Sequence, residues 1–198
     1  NNENAKPEKY ASPKSIGLSD NFKNPVATAN YYDSKNDLRQ YMTNFYAQLN
    51  IVPEKLTFKT SINYNYQNID GRTFVPTYYV ESNQQSNATS LTKTNTQYNN
   101  YIWDNTLTYK DSFGKHNFGA MLGTSMRQET YKNLWGSAPN VPEGNDSYLS
   151  LGQGSTTGLT LGDDGTKFRG LSYFARLNYD FDSKYYLMFT MRADGSSK

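Results

Sequence analysis

The 198-residue sequence has no cysteine, one histidine (His116), and no apolar run long enough to cross a bilayer as a helix. Without thiols there can be no disulfides and no thiolate metal sites. A lone imidazole supports neither a histidine metal site nor a Ser-His-Asp triad, so His116 is interpreted as a surface residue at a turn. The net charge of +2 is too small to indicate nucleic acid as a partner.

Hydrophobic residues are also scarce, at 35% of the chain, and the mean hydropathy is −0.86. Values this low are typical of loosely folded chains. The 18 Tyr and 10 Phe argue against disorder, because disordered segments are poor in aromatic residues. Tyrosine favours pleated, half-buried surfaces with one end in water. The composition therefore indicates an ordered, strand-rich chain.

Apolar and polar residues alternate with a period of two in three places, which predicts β-strands. In each place two alternating runs flank a short polar turn (PEK, DSFGK or DSK), which predicts three hairpins and about six strands. The hairpins are predicted at residues 40–67, 98–129 and 169–198, and long loops at 1–39, 68–97 and 130–168.

Strands with one apolar and one polar face suit two architectures. In a soluble sandwich the apolar face packs on a second sheet. In an outer-membrane barrel it meets lipid, with short turns at one end and long loops at the other. The sorting of loop lengths favours the barrel, so the predicted fold class is all-β, an antiparallel transmembrane β-barrel segment. Charged residues of the polar faces would then line the lumen (Lys59, Asp104, Arg127 and Arg176).

Aromatic residues in the predicted loops are candidate binding residues. Phe74, Tyr78 and Tyr79 lie in GRTFVPTYYVESNQQ, and Trp135 lies in YKNLWGSAPNVPEG. Exposed aromatic side chains can stack on sugar rings or clamp a peptide. We predict a contact with a ligand or a covering protein at these four residues. The alternative is that they pack loop on loop.

Other motifs are weaker. The stretch LGQGSTTGLTLGDDGTKF lacks the ending of a phosphate-binding loop. Asp163 and Asp164 within it lack the spacing of an EF-hand. The glycosylation-type patterns at Asn87 and Asn145 arise easily in a chain rich in asparagine and threonine. No catalytic residue, cofactor or metal site is therefore predicted, and the chain is not predicted to be an enzyme.

The segment SYFARLNYDFDSKYYLMFTMRADGSSK, residues 172–198, resembles the SusC/RagA family of TonB-linked outer-membrane transporters of Bacteroidetes. Residues 172–179 and 192–197 match the family's pattern almost residue for residue. Upstream, NTLTY, GKHNFGAMLG, NPVA and NFYAQLNIVPEKLTFKTSINYNY are similar to earlier parts of the family's barrel. The likeness spans most of the chain, and the loops do not match.

The resemblance implies a nutrient importer in the outer membrane. Such a protein has a barrel of about 22 strands with an internal plug. It is energised by TonB and covered by a SusD-like lipoprotein that traps an oligosaccharide or a peptide. The short turns would be periplasmic and the loops extracellular. The plug and the TonB box would lie outside this chain, which is expected to be a piece of the barrel. A β-rich surface adhesin and a receptor for iron chelates or cobalamin are the alternatives.

Overall fold

The computed structural model describes residues 10–19, 21–143 and 149–197. In this part of the chain one short helix, α1 (Pro25–Tyr31), precedes the strands, and 3₁₀ turns occur at Pro13–Ile16 and Leu151–Gln153. The strands are β1 (Asp33–Val52), β2 (Leu56–Val75), β3 (Tyr78–Glu81), β4 (Gln84–Ser86), β5 (Ser90–Phe113), β6 (His116–Pro139), β7 (Thr160–Phe181) and β8 (Tyr185–Ser196).

The six long strands form one sheet in the order β1-β2-β5-β6-β7-β8, and β3 pairs with β4 separately. Sequential neighbours pair throughout the long sheet, as in an up-and-down barrel wall. The β7–β8 pair is antiparallel, with a continuous register from Gly170 opposite Ser196 to Phe181 opposite Tyr185. The predicted fold class is confirmed, and the six described strands form an arc that does not close.

The strands continue well past the predicted hairpins. β1 starts before residue 40 and β2 runs eight residues beyond 67, while β5 to β7 reach into the regions predicted as loops. In these extensions the outward face carries polar side chains, such as Asn68, Asp70 and Arg72 on β2. The apolar alternation that reveals a strand is therefore absent there. What remains between strands is residues 76–89, which include β3 and β4, and residues 140–159.

Each hairpin turn has residues in the left-handed backbone region. In the first turn Glu54 follows Pro53 with φ 67°, and the Lys55 amide donates to the Val52 carbonyl at 3.1 Å, which is the pattern of a type II turn. The third turn has Asp182 and Ser183 at φ 55° and 52°. Two successive positive φ values define a type I′ turn, whose twist matches that of a hairpin. Gly114 supplies the positive φ of the second turn.

The chain divides into two compact units. Unit 1 comprises residues 1–38, 68–96 and 133–164. Unit 2 comprises residues 39–67, 97–132 and 165–198 and contains the three turns. Unit 1 has two buried apolar clusters: one joins Phe74, Leu91, Ala138, Val141 and Leu149, and the other joins Ala27, Val75, Tyr78 and Val80.

Helix α1 is fixed within unit 1 by polar contacts at its start. The Asn24 side chain caps the helix by accepting from the amides of Val26 and Ala27 at 2.9 and 3.1 Å. Pro25 occupies the first helical position, where its missing backbone N–H costs no intrahelical hydrogen bond. Gln84 of β4 accepts from the Asn24 amide at 2.8 Å and donates to the Asn24 carbonyl at 2.9 Å. No helix in the described residues has the length and apolarity to span a bilayer.

Candidate functional site: a two-faced wall and its loops

The outward face of unit 2 is apolar and uncovered. It carries the odd-numbered residues of β1, β5, β7 and β8 and the even-numbered residues of β2 and β6. A side-chain hydrogen bond from Trp103 to Thr60 at 2.9 Å and a longer one from Asn105 to Thr124 at 3.5 Å link neighbouring strands on this face. Its large side chains are mostly exposed, including Phe45, Leu49, Leu122, Leu177, Leu187 and Phe189.

Such a face needs an apolar partner. In a sandwich a second sheet would bury these side chains, but Leu122 and Leu187 are 61% and 68% exposed. Lipid is the partner that the barrel architecture supplies. The lipid-facing pattern predicted from the alternation is therefore the pattern that the strands present.

The inward face of unit 2 is mostly polar and carries the alternate residues of the same strands. Between β1 and β2, Gln40 donates to Asn65 at 3.1 Å and Asn44 donates to Asn63 at 2.5 Å. Lys59 lies over the ring of Tyr46, 5.1 Å from its centroid. A wall of amides, hydroxyls and paired charges stays hydrated and can contact a hydrophilic solute or a polar protein segment.

One charged residue of this wall, Arg127, has both an ion pair and an aromatic neighbour. Arg127 pairs with Glu129 on β6, and its guanidinium lies over the Phe168 ring at 5.9 Å. Lys59, Asp104, Arg127 and Arg176 all fall on inward positions, as the alternation predicted. Their contact with a particular solute stays a prediction.

The two sequence motifs meet on the inward face of β7 and β8. Ser172 lies directly opposite Asp194 in the strand register, and its hydroxyl donates to the Asp194 carboxylate at 2.5 Å. Arg192 donates to the same carboxylate at 2.8 Å and to the Ser172 hydroxyl at 3.1 Å. These residues of SYFARLNY and RADGSS thus form one hydrogen-bonded group, which gives a structural reason for their occurring together.

Ion pairs join neighbouring turns of unit 2. Lys55 in the first turn pairs with Asp111 at the end of β5 at 2.9 Å. Lys115 in the second turn pairs with Asp182 in the third at 3.1 Å. The hydrogen bonds from Lys55 and Tyr109 lower the pKa of the Asp111 carboxyl below its ordinary value. The hydrogen bond to Asp111 likewise raises the pKa of Lys55.

Two of the four predicted aromatic contact residues are buried inside unit 1. Phe74 is 8% exposed and packs with Leu91 and Val141. Tyr78 is 7% exposed and stacks on Tyr31 with ring centroids 4.3 Å apart. Burial, and next the neighbouring Tyr32, raise the pKa of Tyr78. Both rings serve loop packing in the described chain, which was the alternative interpretation, and a ligand contact for them stays a prediction.

The other two aromatic residues are more accessible. Tyr79 on β3 is partly exposed, and Trp135 on β6 is 36% exposed. Trp135 packs over Gly162 of β7, where an added Cβ would come within 2.2 Å of the indole nitrogen. Glycine at 162 therefore leaves the space that the indole occupies. Tyr79 and Trp135 remain the candidates for contact with a ligand or a covering protein.

A cavity of about 610 Å³ in unit 1 was not predicted from the sequence. Its lining combines charged side chains with apolar ones from the extended parts of the strands and from residues 140–159. They include Lys35, Asp37, Asp70, Lys93, Trp135, Leu151 and Leu161. The charged residues Lys35 and Asp37 are the signal that could have found it, but the sequence did not predict a strand there because the apolar face of the alternation is missing.

The other residues considered in the sequence lie on strands or in a bend, except for one outside the described residues. The Nδ1 atom of His116 lies 2.8 Å from the Tyr179 hydroxyl, and the imidazole stacks with Phe113 at 5.2 Å. Asp163 and Asp164 lie exposed on β7, and Asn87 lies in a bend after β4. Asn145 falls outside the described residues. Among the residues that the structure does describe, no three metal-binding side chains form a cluster.

Comparisons with known proteins agree with this geometry. No family model matches the sequence. TonB-dependent receptor P3 of Formosa agariphila is 30% identical over 180 residues, which are 91% of this chain and 18% of the relative. TonB-dependent receptor P39 of the same organism is also 30% identical, over 88% of this chain and 17% of its own length. The chain thus spans less than a fifth of these curated relatives.

Solved structures match the fold. A structure described as the RagAB peptide transporter superposes with a TM-score of 0.78 and 22% identity, over 87% of this chain and 19% of that chain. The RagAB peptide importer in its closed-closed state gives a TM-score of 0.77 at the same identity and coverage.

The fold and its two faces define a segment of a transmembrane β-barrel wall. The sequence relatives are TonB-dependent receptors from a Bacteroidetes bacterium, and the structural neighbours are transporters of the RagA type. The resemblance to the SusC/RagA family of TonB-linked transporters is confirmed, and the chain corresponds to part of such a barrel. These relatives are receptors and transporters, not enzymes.

Proposed function

We propose that this chain is part of the wall and external loops of an outer-membrane importer energised by TonB. The observation that carries the proposal is the sheet with one lipid-suited face and one hydrated face, found in a chain 30% identical to a TonB-dependent receptor over 91% of its length. In the proposed orientation the three short turns are periplasmic, and unit 1 carries the extracellular loops.

The proposed cargo is a hydrophilic nutrient, either an oligosaccharide or a peptide. The inward amides and hydroxyls, such as Asn44, Asn63 and Thr57, suit a polar solute. The structural neighbours are described as peptide transporters, which favours a peptide. A SusD-like surface lipoprotein is the proposed partner, and Tyr79 and Trp135 are the proposed contacts with it or with cargo.

The test is uptake by the parent protein in its native host. Deleting the gene that encodes the parent protein should abolish uptake of one class of labelled oligosaccharide or peptide, and deleting TonB should have the same effect. Affinity purification of the full-length protein in mild detergent should recover a lipoprotein partner. Unchanged uptake of every class would contradict an import role. Uptake of a ferric chelate alone would favour the iron-receptor alternative.

A further inference from the structure

The outward face of unit 2 has an asymmetric distribution of charge. Its outward positions carry four cations, Arg39, Lys132, Lys167 and Arg169, all towards the loop ends of their strands. The only outward carboxylate in the described part of unit 2 is Asp111, which lies at the turn end and pairs with Lys55. The small net charge of the chain hides this separation.

Three of these cations form a basic cluster, defined as Lys132, Lys167 and Arg169, on the neighbouring strands β6 and β7. The register is fixed by Arg169, whose Nε donates to Gln128 at 3.2 Å. A second contact agrees with this register: an added Cβ at Gly165 would lie 3.9 Å from the Lys132 side chain. Lys167 is therefore a diagonal neighbour of Lys132 and lies about 7 Å along the strand from Arg169.

The three side chains are available to a ligand. All are exposed. In the described residues neither Lys132 nor Lys167 forms an ion pair, whereas the inward Arg127 is paired with Glu129. The bond to Gln128 holds the Arg169 guanidinium along β6 and uses only its Nε. Two or three cations spaced in this way can contact one phosphate group together.

The cluster lies at the height expected for lipid phosphates. The next outward residue after Arg169 is Leu171, about 7 Å further along β7, and it begins the apolar band. The headgroup layer of each leaflet is about 5–8 Å thick. Arg169 therefore lies about one headgroup layer from the hydrocarbon, and Lys167 and Lys132 lie successively further out along the strands.

An apolar groove of about 460 Å³ lies further along the same strands. Small side chains, among them Thr124, Ala175 and Ala193, leave space between larger ones, including Phe58, Leu122, Tyr173 and Met191. Tyr173 lies four residues, or about 13 Å, from Arg169. A groove of this shape on a lipid-facing surface accommodates a hydrocarbon chain, and charge complementarity at the cluster specifies an anionic headgroup.

We propose that the basic cluster and this groove bind a phosphate-bearing lipid, with its phosphate on Lys132, Lys167 and Arg169 and an acyl chain in the groove. In the orientation proposed above, the lipid belongs to the outer leaflet, so the inference rests on the proposed function. The lipid would fill the groove and hold the receptor at a fixed depth.

The test uses the full-length receptor, purified in a non-ionic detergent and stripped of lipid. Native mass spectrometry measures binding of dioleoyl phosphatidylglycerol and, for comparison, dioleoyl phosphatidylcholine. The wild type should prefer the anionic lipid. The variant Lys132→Gln/Lys167→Gln/Arg169→Gln should bind it about a hundredfold more weakly, at about 1 kcal/mol for each cation. The matched control Lys59→Gln/Lys110→Gln/Arg176→Gln, which removes three inward cations, should bind it like the wild type.

Two further measurements identify the ligand. Ala193→Phe fills the groove and should weaken binding of the two-chain lipid, and excess inorganic phosphate should not displace it. Equal binding by the wild type and the outward triple variant would overturn the proposal, as would an equal loss in the inward control. Full displacement by inorganic phosphate would show that the site binds a free anion and not a lipid.

Nutrient uptake by the variants, measured separately, distinguishes failure of this inference from failure of the proposed function. Uptake without lipid preference contradicts this inference alone, and lipid binding without any uptake contradicts the import role alone.

Discussion

Among single residues, a close fit on the inward face of unit 2 joins Gly123 of β6 and Phe174 of β7. An added Cβ at residue 123 would lie 2.2 Å from two carbons of the Phe174 ring. A ring that covers a glycine shields the exposed backbone of a strand and fixes its neighbour's register. This contact gives a structural reason for an aromatic residue at position 174 of the inward face.

Replacing Gly123 with alanine should destabilise the folded full-length protein by about 1–3 kcal/mol, because the Phe174 ring must move. Urea unfolding in lipid vesicles measures this free energy. Gly119→Ala is the matched control, since its nearest neighbour, the Asn178 amide, is 3.6 Å from the added Cβ. Adding Phe174→Leu to Gly123→Ala should recover part of the loss. Equal effects of the two alanines would contradict the assigned contact.

The side of the sheet also decides the effect of a charge. Leu177 is outward and 55% exposed, so arginine there should cost about 2–4 kcal/mol near the bilayer middle. Asn178 is inward, and arginine there should cost much less because the side chain stays in water. The free energy of unfolding in vesicles measures both. Equal tolerance at the two positions would show that the faces are assigned incorrectly.

Within the loop segments, stability should depend on buried rings and not on the half-exposed ones. Tyr78→Ala removes the ring that stacks on Tyr31 and should cost about 3–5 kcal/mol locally. Hydrogen exchange in residues 10–31 and 76–89 measures this loss as faster exchange. Tyr79→Ala, in the same strand and partly exposed, should change exchange little. Faster exchange of the same size in both variants would contradict the packing role of Tyr78.

Within the turns, the pairing of Lys55 with Asp111 predicts a dependence on pH. The pKa of Asp111 is lowered in the folded protein, so its contribution is fully present above the ordinary value of 3.8 and is lost as pH falls below it. Wild-type protein should therefore lose more stability than Lys55→Met between neutral and strongly acidic pH. Both groups are exposed, so the difference should be small.

The same pair acts in the opposite direction in alkali. The pKa of Lys55 is raised above its ordinary value of 10.5, so the stabilisation is present below that pH and is lost as pH rises through the folded value. Asp111→Asn should abolish both dependences. Urea unfolding at a series of pH values checks this, and parallel pH curves for the wild type and both variants would show that the pair contributes nothing.

How much of each element the sequence predicts depends on whether one face is apolar. Residues such as Phe45, Leu122 and Leu187 alternate with polar neighbours, and the strands there were predicted. Past residue 67 the alternation disappears, because the outward positions hold polar residues, and Asn68, Asp70 and Asn95 hydrogen-bond to one another there. The six strands and three turns were therefore predictable, and their full lengths were not.

The loop packing could not be predicted because it depends on contacts distant in sequence. Phe74 is buried by Leu91, Ala138 and Val141, which no local pattern connects to it. The Ser172, Arg192 and Asp194 group is a partial exception. Its residues were picked out as motif positions, and only the strand register shows that they meet.

For the molecule as a whole, the six described strands are an arc with two open edges. β1 and β8 each pair on one side only in the sheet order, and long unpaired edges invite aggregation. A closed barrel removes such edges by pairing every strand. The arc, the lipid-suited face and the hydrated face are thus mutually consistent only as part of a larger barrel.

The central claim is that alternate residues of one strand face lipid and water. Single spin labels at residues 171–181 of β7 in the full-length receptor, reconstituted in bilayers, test it most directly. This chain has no cysteine of its own to compete for the label. Accessibility to oxygen, which concentrates in lipid, should peak at Tyr173, Ala175 and Leu177. Accessibility to a water-soluble nickel chelate should peak at Phe174, Arg176 and Asn178. Protection from both reagents at the odd-numbered residues would mean that protein covers the apolar face, and it would contradict the barrel.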